Sequence, residues 1–372
     1  MIEVDVISDY DEFLRLKTSW NDLLRKQAAN DIVFLTHEWF ECWWKCYAKN
    51  AGLFIVVARQ NGSLAGIVPM MICNTYHRGV PVRMLSFIEN GNSLHNDFII
   101  DKSQKQSIMP AIMDYIYDKQ NKWDMVEINN IPMDSFNVDE LREVLRSDRG
   151  LSVETKGLDS PYIRIESDWE TYLKGRSSKS RKTLRNIQNR FKKQGEYSIE
   201  RIEDIEGYEK VKSQLYEVAR ESWTEDIGDS LNSEINKQFF DELSYAVAEP
   251  GWLVIWLLHL NGEPIAFEYH LRYNGTLHAL RASHKEAYSS ISPGVFLDYH
   301  IMENVFESGI IHEYDLGGSA DFYKRKWTKY HRNHINVHIF KKSIYSTLLH
   351  MYEYRLVPLV KHLVRRKKGI EA

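Results

Sequence analysis

The chain has 372 residues, and its 43% hydrophobic and 27% charged content is that of a globular protein, which excludes a disordered or fibrous chain. The length suggests two domains that each bury their own core. A net charge of −4 gives no overall signal for binding a polyanion. No apolar run approaches the roughly 18 residues of a membrane-spanning helix, and the acidic N-terminus lacks a signal-peptide pattern. We therefore expect a cytoplasmic protein.

The N-terminal part of the chain combines strand and helix patterns. Residues 2–7 predict a strand, residues 9–25 have helical spacing, and a Trp-rich helix is expected from Thr36. Cys42 and Cys46 lie one helical turn apart in that apolar stretch. Because the three cysteines of the chain are odd in number and lack metal-binding spacing, we expect these two to pack in a core, with no disulfide and no metal.

Two Asn-Gly pairs, Asn61-Gly62 and Asn261-Gly262, each lie between two apolar runs rich in β-branched residues. This pattern predicts a β-hairpin at each place. The pairs are 200 positions apart, and Ala65-Gly66-Ile67 aligns with Ile265-Ala266-Phe267. We interpret the match as a duplication in which one hairpin-centred unit is used twice. The alternative is chance, since the turn is common.

The rest of the first half contains further short elements and one polar loop. Strands are predicted over residues 83–89, 97–100 and 123–128, and helices over residues 108–117 and 136–146. The loop Glu89–Asp97 is rich in hydrogen-bonding groups and is either an ordinary solvated turn or a ligand-facing loop. No Ser-Pro-Gly sequence precedes the helix at Ile108, so we expect this half not to bind a ligand at that helix, and instead to support a site in the second half or to contribute one wall of its cleft.

A basic segment follows the connection that we predict over residues 152–165. Residues 174–193 contain nine Lys or Arg and no acid, with a helix expected over residues 179–193. Its apolar residues form one narrow stripe. The segment is therefore either a solvated charged helix or an electropositive rim for a phosphate-bearing ligand, such as the 3′-phosphate of coenzyme A, a nucleotide-linked lipid or tRNA. Other nucleic acid is not expected, because aromatic residues for base stacking are absent from it.

The second half predicts a strand over residues 276–282, a polar loop ending in Ser292-Pro293-Gly294, and a helix from Val295 that Gly309 ends. A strand over residues 312–316 then runs into Gly317-Gly318. The N-terminus of a helix has unpaired N–H groups and a positive dipole end. It therefore suits phosphate or another anion.

This order of elements resembles the Gcn5-related N-acetyltransferase (GNAT) superfamily. It is most similar to the BioF2-like or CelD-like acetyltransferases, which are relatives of the FemABX peptidyltransferases. The likeness runs roughly from Phe34 to Phe340. The residues that carry it are Ser292-Pro293-Gly294, Asp315-Leu316-Gly317-Gly318, Tyr323-Lys324 with Trp327, Arg181-Lys182, Ser222-Trp223 and the strand Gly66–Pro69.

The resemblance implies an α/β (α+β) fold of two tandem GNAT-like units with mixed sheets flanked by helices. We expect the first unit over residues 1–155, the second over residues 156–342, and a basic amphipathic helix over residues 343–372. It also implies transfer of an acyl group from acetyl-coenzyme A, or another acyl-coenzyme A, to an amino group on a sugar or cell-envelope precursor. The alternatives are transfer of an amino acid from aminoacyl-tRNA, as in FemABX proteins, and a non-catalytic scaffold for polysaccharide synthesis.

The candidate site residues fall into three groups, and no metal ligand is among them. Glu268 stands in an apolar strand on the same face as His270, which suits a general base with a raised pKa. The predicted catalytic residues are Glu268, His284, Asp315, Tyr323 and Lys324. The predicted donor-binding residues are Ser292, Pro293, Gly294, Val295, Arg181 and Lys182. The predicted acceptor-binding residues are Trp223, Asp97, Gly317 and Gly318.

The C-terminal residues 341–368 keep apolar helical spacing, with Pro358 expected to kink the helix and four basic residues near its end. A basic amphipathic helix of this kind either packs on its own domain or lies on an anionic membrane surface. Peripheral contact with the inner face of the membrane is therefore one expectation for this protein.

Overall fold

The computed structural model describes residues 1–119, 121–146, 151–222, 231–318, 324–360 and 362. The strands are β1 (Ile2–Ile7), β2 (Ala51–Gln60), β3 (Ser63–His77), β4 (Val80–Phe87), β5 (Ile99–Ile100), β6 (Met125–Pro132), β7 (Leu151–Arg164), β8 (Tyr197–Ile202), β9 (Leu253–Leu260), β10 (Glu263–Tyr273), β11 (Thr276–His284), β12 (Glu313–Asp315) and β13 (Tyr330–Phe340). The α-helices are α1 (Tyr10–Arg15), α2 (Lys17–Lys26), α3 (His37–Tyr47), α4 (Lys105–Asp118), α5 (Val138–Leu145), α6 (Trp169–Lys174), α7 (Ser178–Phe191), α8 (Ile205–Arg220), α9 (Glu234–Ala248), α10 (Pro293–Glu307) and α11 (Ile344–Met351).

The chain forms two compact units, each with residues from more than one stretch of sequence. Unit 1 comprises Met1–Phe40, Ala48–Leu158 and Asn333–Ala372, and unit 2 comprises Glu41–Tyr47 and Asp159–Arg332. The change at residue 158 lies close to the predicted boundary at 155. The return of residues 333–372 to unit 1 differs from the predicted linear division, because β13 pairs with β6 of that unit.

The two units have the same strand order. In unit 1 the order is β1-β2-β3-β4-β6-β13, with β4 parallel to β6 and the other neighbours antiparallel. In unit 2 the order is β8-β9-β10-β11-β12-β7, again with one parallel pair, β11 and β12. The long helix between the parallel strands is α4 in unit 1 and α10 in unit 2. This repetition confirms the predicted α/β fold of two GNAT-like units.

Both predicted hairpins are present, and their turns explain the Asn-Gly pairs. Asn61 and Gly62 have φ values of 52° and 81°, and Asn261 and Gly262 have φ values of 53° and 82°. Two successive residues with positive φ make the tight turn whose twist matches that of antiparallel strands, and Asn and Gly adopt this conformation most readily. The first pair joins β2 to β3 and the second joins β9 to β10.

Each unit has its own hydrophobic core, in which the long helix packs on the sheet. In unit 1, α4 contributes Ile108 and Ile112 to a buried cluster with β2, β3 and β6. A Cβ on Gly66 would come within 2.6 Å of the Ile108 side chain, so glycine lets the helix approach the strand. The aligned residue of unit 2, Ala266, is buried in a cluster to which α10 contributes Phe296 and Ile301.

Three segments differ from the sequence-based expectations. Residues 151–164, predicted as a connection, form the long strand β7. Glycine suits position 157 of this strand because a Cβ there would crowd His334 and Asn336. Strand β8 had no predicted counterpart. The C-terminal helix continues past α11 through a π-helical turn, Tyr352–Leu356, just before Pro358. Among the described residues, no helix combines the length and apolar character needed to span a bilayer.

Candidate active site of unit 2

Helix α10 begins with an N-terminus that is open to an anionic ligand. Ser292, at the N-cap position, has a left-handed conformation (φ 60°, ψ 55°) and makes no side-chain capping hydrogen bond within the described residues. Its hydroxyl instead accepts a hydrogen bond from Arg190 Nη2 at 3.0 Å. Pro293, the first helical residue, has no N–H to satisfy. The N–H groups of the first turn therefore point toward the loop with a cationic side chain beside them.

A cleft of about 730 Å³ lies along α7 and reaches this N-terminus. It is lined by Thr183, Asn186, Ile187, Asn189, Arg190, Lys193, Gln194 and Ser292. Helix α7 is held there by Phe191, whose ring stacks on Phe296 of α10 with centroids 3.9 Å apart. Both rings are fully buried, so the polar and basic side of α7 is presented in a fixed orientation. The cleft thus joins a basic helix to a helix N-terminus, which suits a phosphate group.

The predicted pair Arg181 and Lys182 lies on the first turn of α7, exposed to solvent, and is absent from the cleft lining. The basic residues of the lining are Arg190 and Lys193, from the other end of the segment. A donor-binding role for Arg181 and Lys182 stays a prediction.

The equivalent helix in unit 1 has a carboxylate just before its N-terminus. The carboxylate of Asp101 accepts hydrogen bonds from the Ser103 N–H at 2.9 Å and from Gln104 Nε2 at 2.7 Å, just before α4. Hydrogen bonds from Ser103 and Gln104 hold the Asp101 pKa below its usual value despite partial burial, so the group is ionised. A carboxylate there repels phosphate, which supports the expectation that unit 1 does not bind a donor.

The parallel strands of unit 2 pair over a short length only. Strand β12 pairs with β11 from Thr276 to His278, and then Leu316 donates its N–H to the Pro161 carbonyl instead. Strand β11 continues to His284 along β10, with a register shift at Tyr269/His270. Beyond His278, the side of β11 that faced β12 has no strand partner among the described residues. Backbone N–H groups on such a side of a strand can bind a carbonyl oxygen.

A carboxyl pair lies next to this opening. Glu268 of β10 is 5% exposed, and its carboxyl is hydrogen-bonded to Asp298 of α10, whose side chain is half-buried. Burial raises the Glu268 pKa to about 7, against hydrogen bonds from Asp298 and Tyr314 and the charge of Lys324. Burial and the neighbouring Glu268 charge raise the Asp298 pKa well above its usual value. Near neutral pH the two carboxyls therefore share a proton.

Two further side chains complete the surroundings of Glu268. His270 Nε2 lies 3.2 Å from Glu268 Oε2 and 2.9 Å from the Tyr314 hydroxyl. Burial lowers the His270 pKa to about 3, so this imidazole is neutral. Tyr314 also donates its hydroxyl to Glu268 Oε2 at 3.4 Å. Of the bases on this strand, Glu268 is thus the one that titrates near neutral pH.

The glycine turn after β12 places a cation near the pair. Lys324 Nζ donates to the Gly317 carbonyl at 2.6 Å and lies 3.4 Å from the position of a Cβ on Gly318. Asp315 is fully buried, accepts from the Gly317 N–H at 2.9 Å, and lies 3.4 Å from His278 Nδ1. Asp315 therefore shapes the turn that carries Lys324. Gly317 and Gly318 have φ values of 65° and 54°, which favour glycine.

His284 ends β11 on the same face of the sheet as Glu268, because it pairs with Ala266 and Ala282 pairs with Glu268. Its Nε2 lies 3.1 Å from the Ser289 hydroxyl, and a Cβ on Gly294 would lie 3.8 Å from its Nδ1. Burial lowers the His284 pKa, so the ring is neutral at the donor end. The structure thus brings His284 to Gly294 and Lys324 toward Glu268.

Asp97 belongs to unit 1 and is 1% exposed. Its carboxylate accepts hydrogen bonds from the Phe98 N–H at 2.7 Å and from Asn137 Nδ2 at 3.0 Å, with Ser135 as a third donor. These contacts suit a residue that holds its loop in place, and an acceptor-binding role for it stays a prediction. Trp223 and Tyr323 lie outside the described residues.

Asp298 was not among the predicted site residues, and the basic pattern of residues 174–193 did not distinguish Arg190 and Lys193 from their neighbours. A signal for Asp298 was present, because Gly294, Asp298, Ile301 and Val305 follow helical spacing on the side of α10 that faces the core. A single acid in such a stripe indicates a buried polar partner. For Arg190 and Lys193, the spacing of basic residues in the sequence does not indicate which of them line the cleft.

Comparisons with known proteins agree with this architecture. Residues 178–325 match the family model described as an acetyltransferase (GNAT) domain. No curated protein sequence matches the chain. Among solved structures, FemX is 12% identical over 95% of this chain and 99% of its own, with a TM-score of 0.62.

Two further solved structures are also similar. L-PGS from Bacillus licheniformis is 13% identical over 92% of this chain and 95% of its own, with a TM-score of 0.54. The C-terminal domain of a putative lysylphosphatidylglycerol synthetase from Agrobacterium fabrum is 10% identical over 91% and 95%, also with a TM-score of 0.54. At these identities, each likeness shows a shared fold.

Proposed function

We propose that this chain, a GNAT-type acyltransferase with the fold of FemX, transfers an acyl group from acyl-coenzyme A to an amino group. The observation that carries the proposal is the arrangement along α10. The helix has a cationic cleft at its first residue, and Asp298, bonded to Glu268, lies five residues further on. That distance is about 8 Å along the helix. A phosphate-bearing donor held at the N-terminus would thus place its acyl end near the carboxyl pair.

At the donor end of the proposed site, phosphate would be bound mainly by electrostatic interactions. Phosphate oxygens would accept from the first-turn N–H groups of α10 and from Arg190 and Lys193. The loop before the helix is itself anchored, since Lys285 Nζ bonds to Glu263 at 2.8 Å and to Glu217 at 2.6 Å. A loop held in this way keeps the N-terminus of α10 in position for the donor.

The transfer needs a neutral amine, a polarised carbonyl and a protonated leaving group. We assign Glu268 as the base that takes the proton of the acceptor ammonium. The neutral amine then forms the new C–N bond as the thioester C–S bond breaks, and the amide nitrogen gives up a second proton. The leaving thiolate takes one proton from the carboxyl pair or from water, so that one of the two protons lost by the acceptor ends on the thiol and the other in solvent. The side of β11 that lacks a strand partner beyond His278 in the described part of the chain and the Lys324 ammonium are the proposed sources of positive potential for the carbonyl oxygen. A base with a pKa near 7 suits this role at neutral pH.

For the acceptor, we propose an amine-bearing sugar or cell-envelope precursor. This part of the proposal rests on the resemblance to proteins that accompany cellulose, exopolysaccharide and peptidoglycan synthesis. The site supports an amine acceptor through its buried carboxyl base.

A second candidate is transfer of an amino acid from aminoacyl-tRNA. It is favoured by the similarity to FemX along nearly the whole chain, and by the similarity to a putative lysylphosphatidylglycerol synthetase, whose name implies transfer of an amino acid. The exposed side of α7 carries Arg181, Lys182 and Arg185, which suit a phosphate backbone.

The donors are distinguished by two assays on the purified protein. Thiol release from acetyl-coenzyme A is followed with a panel of amino sugars, and transfer of a labelled amino acid from charged tRNA is followed with the same acceptors. Amine-dependent thiol release that is lost in Glu268→Gln supports the lead proposal. Transfer from tRNA alone would replace it with the second candidate. No turnover with either donor would favour the scaffold.

A further inference from the structure

The C-terminal helix presents an apolar surface to solvent. Ile344, Leu348 and Met351 of α11 are 84%, 58% and 44% exposed, and Leu359 and Val360, further along the same helical stretch, are 57% and 58% exposed. Ile344, Leu348 and Met351 are spaced four and three residues apart and so lie on one face of the helix. A surface helix usually exposes polar side chains, so this face is suited to burial against something else.

The opposite side of the same helix is packed on unit 1. Leu349 joins a buried cluster with Met84, Met125 and Phe340. The Ser346 hydroxyl donates to the Asp124 carbonyl at 2.8 Å. Glu353 is buried against His77 and Arg78, and hydrogen bonding to Arg78 helps to keep its pKa low despite burial. The helix is therefore anchored by these contacts, and the apolar face is not the side that holds it to its own unit.

The C-terminal stretch is strongly basic in sequence. Residues 341–372 contain eight Lys or Arg and two Glu, whereas the whole chain has a net charge of −4. One of the two acids, Glu353, is already paired with Arg78. The rest of the chain is thus acidic, and the basic residues are concentrated in two stretches of the sequence, residues 174–193 and 341–372.

We propose that this face docks on an anionic lipid surface, with the side chains of Ile344, Leu348, Met351 and Leu359 inserted among the lipids and the neighbouring basic residues on the headgroups. Charge complementarity selects this partner. Apolar residues with flanking Lys and Arg suit an anionic bilayer. A second copy of the chain would bring two basic helices together, and like charges at close range repel. The proposal does not depend on the identity of the acyl donor.

The test is flotation of the full-length protein with vesicles of phosphatidylcholine alone and of an equal mixture of phosphatidylcholine and phosphatidylglycerol. The variant is Ile344→Glu/Leu348→Glu. The matched control is Ile310→Glu, which changes a side chain of similar exposure, 55%, in unit 2. All three positions are exposed, so the fold is expected to persist, and a thermal melt of each variant checks this. Vesicle affinity of the double variant should fall at least about tenfold.

Binding only to phosphatidylglycerol vesicles, weakened by added salt, lost in the double variant and kept in Ile310→Glu, is the expected result. Absence of binding to either vesicle overturns the proposal. Equal binding to both vesicles overturns the role of the basic residues. A dimer in solution that the double variant dissociates, without vesicle binding, would assign the face to a second copy instead.

Discussion

Glu268 on β10 and Asp298 on α10 form a hydrogen-bonded carboxyl pair in unit 2. Two carboxyls that share a buried position cannot both ionise easily, so one proton stays with the pair near neutral pH. The pair connects the sheet to the helix whose N-terminus we assign to the donor. It is therefore the place where substrate binding and proton transfer would be coupled.

Replacing Glu268 by Gln removes the proposed base with little change in volume. We expect kcat to fall by about 10²–10⁴-fold with a small change in donor affinity. Steady-state kinetics and donor titration measure the two effects separately. Glu200→Gln, an exposed site on β8, is the control and should leave kcat unchanged. A Glu268→Gln enzyme with normal kcat would remove Glu268 from the mechanism.

Replacing Asp298 by Ala removes a hydrogen bond that lowers the Glu268 pKa. The acidic limb of the pH–rate profile should therefore move to higher pH, because Glu268 then holds its proton more tightly. Asp298→Asn, which can still donate an amide hydrogen, should move the limb less. A limb that stays in place in Asp298→Ala would show that the two carboxyls are not coupled.

The raised pKa of Glu268 also makes stability depend on pH. The folded state holds a proton that the unfolded chain releases at its ordinary pKa, so the contribution is complete below about 4.5 and is lost as pH rises through about 7. Between roughly pH 5 and pH 8, the unfolding free energy of wild type should fall by on the order of 1–3 kcal/mol more than that of Glu268→Gln. Urea unfolding at several pH values measures the difference, and parallel curves would contradict it.

The cationic cleft is tested by charge reversal on α7. Arg190→Glu places a carboxylate beside Ser292 and should weaken acyl-coenzyme A binding by about 10-fold or more. Arg185→Glu makes the same change on the same helix outside the cleft lining and should have a smaller effect. Equal losses in the two variants, measured by calorimetry, would mean that only the overall charge of α7 matters.

The stack between Phe191 and Phe296 holds α7 on α10. Phe191→Ala should reduce the unfolding free energy by about 3–5 kcal/mol, since the ring is fully buried. Phe191→Leu should cost less, because it leaves a smaller cavity. Denaturant unfolding of the three proteins measures this order. A small effect of Phe191→Ala would show that α7 is held by other contacts.

Local patterns predicted much of the fold because the responsible physics is local. Asn61-Gly62 and Asn261-Gly262 predicted their hairpins, since few other pairs adopt two positive φ values in succession. The strand β7 was missed because Gly157 and Pro161 are typical of loops, whereas here glycine relieves crowding against β13. That contact joins distant parts of the chain and leaves no periodic pattern.

The site was predicted in part for the same reason. Glu268 was recognisable as a lone acid in an apolar strand. The contact of Asp298 with Glu268 depends on how α10 is rotated over the sheet. The contact of Arg190 with Ser292 depends on where α7 lies along α10. Both are set by tertiary packing, chiefly by the contact of Phe191 with Phe296.

The most direct test is calorimetric titration with acetyl-coenzyme A of wild type, Gly294→Ala and Gly294→Trp. Among the described residues, a Cβ at Gly294 meets only His284, at 3.8 Å, so alanine fits, whereas an indole would fill the space at the N-terminus of α10. We predict saturable binding to wild type and Gly294→Ala and its loss in Gly294→Trp. No binding to wild type at millimolar ligand, or undiminished binding to Gly294→Trp, would contradict a donor site at this helix.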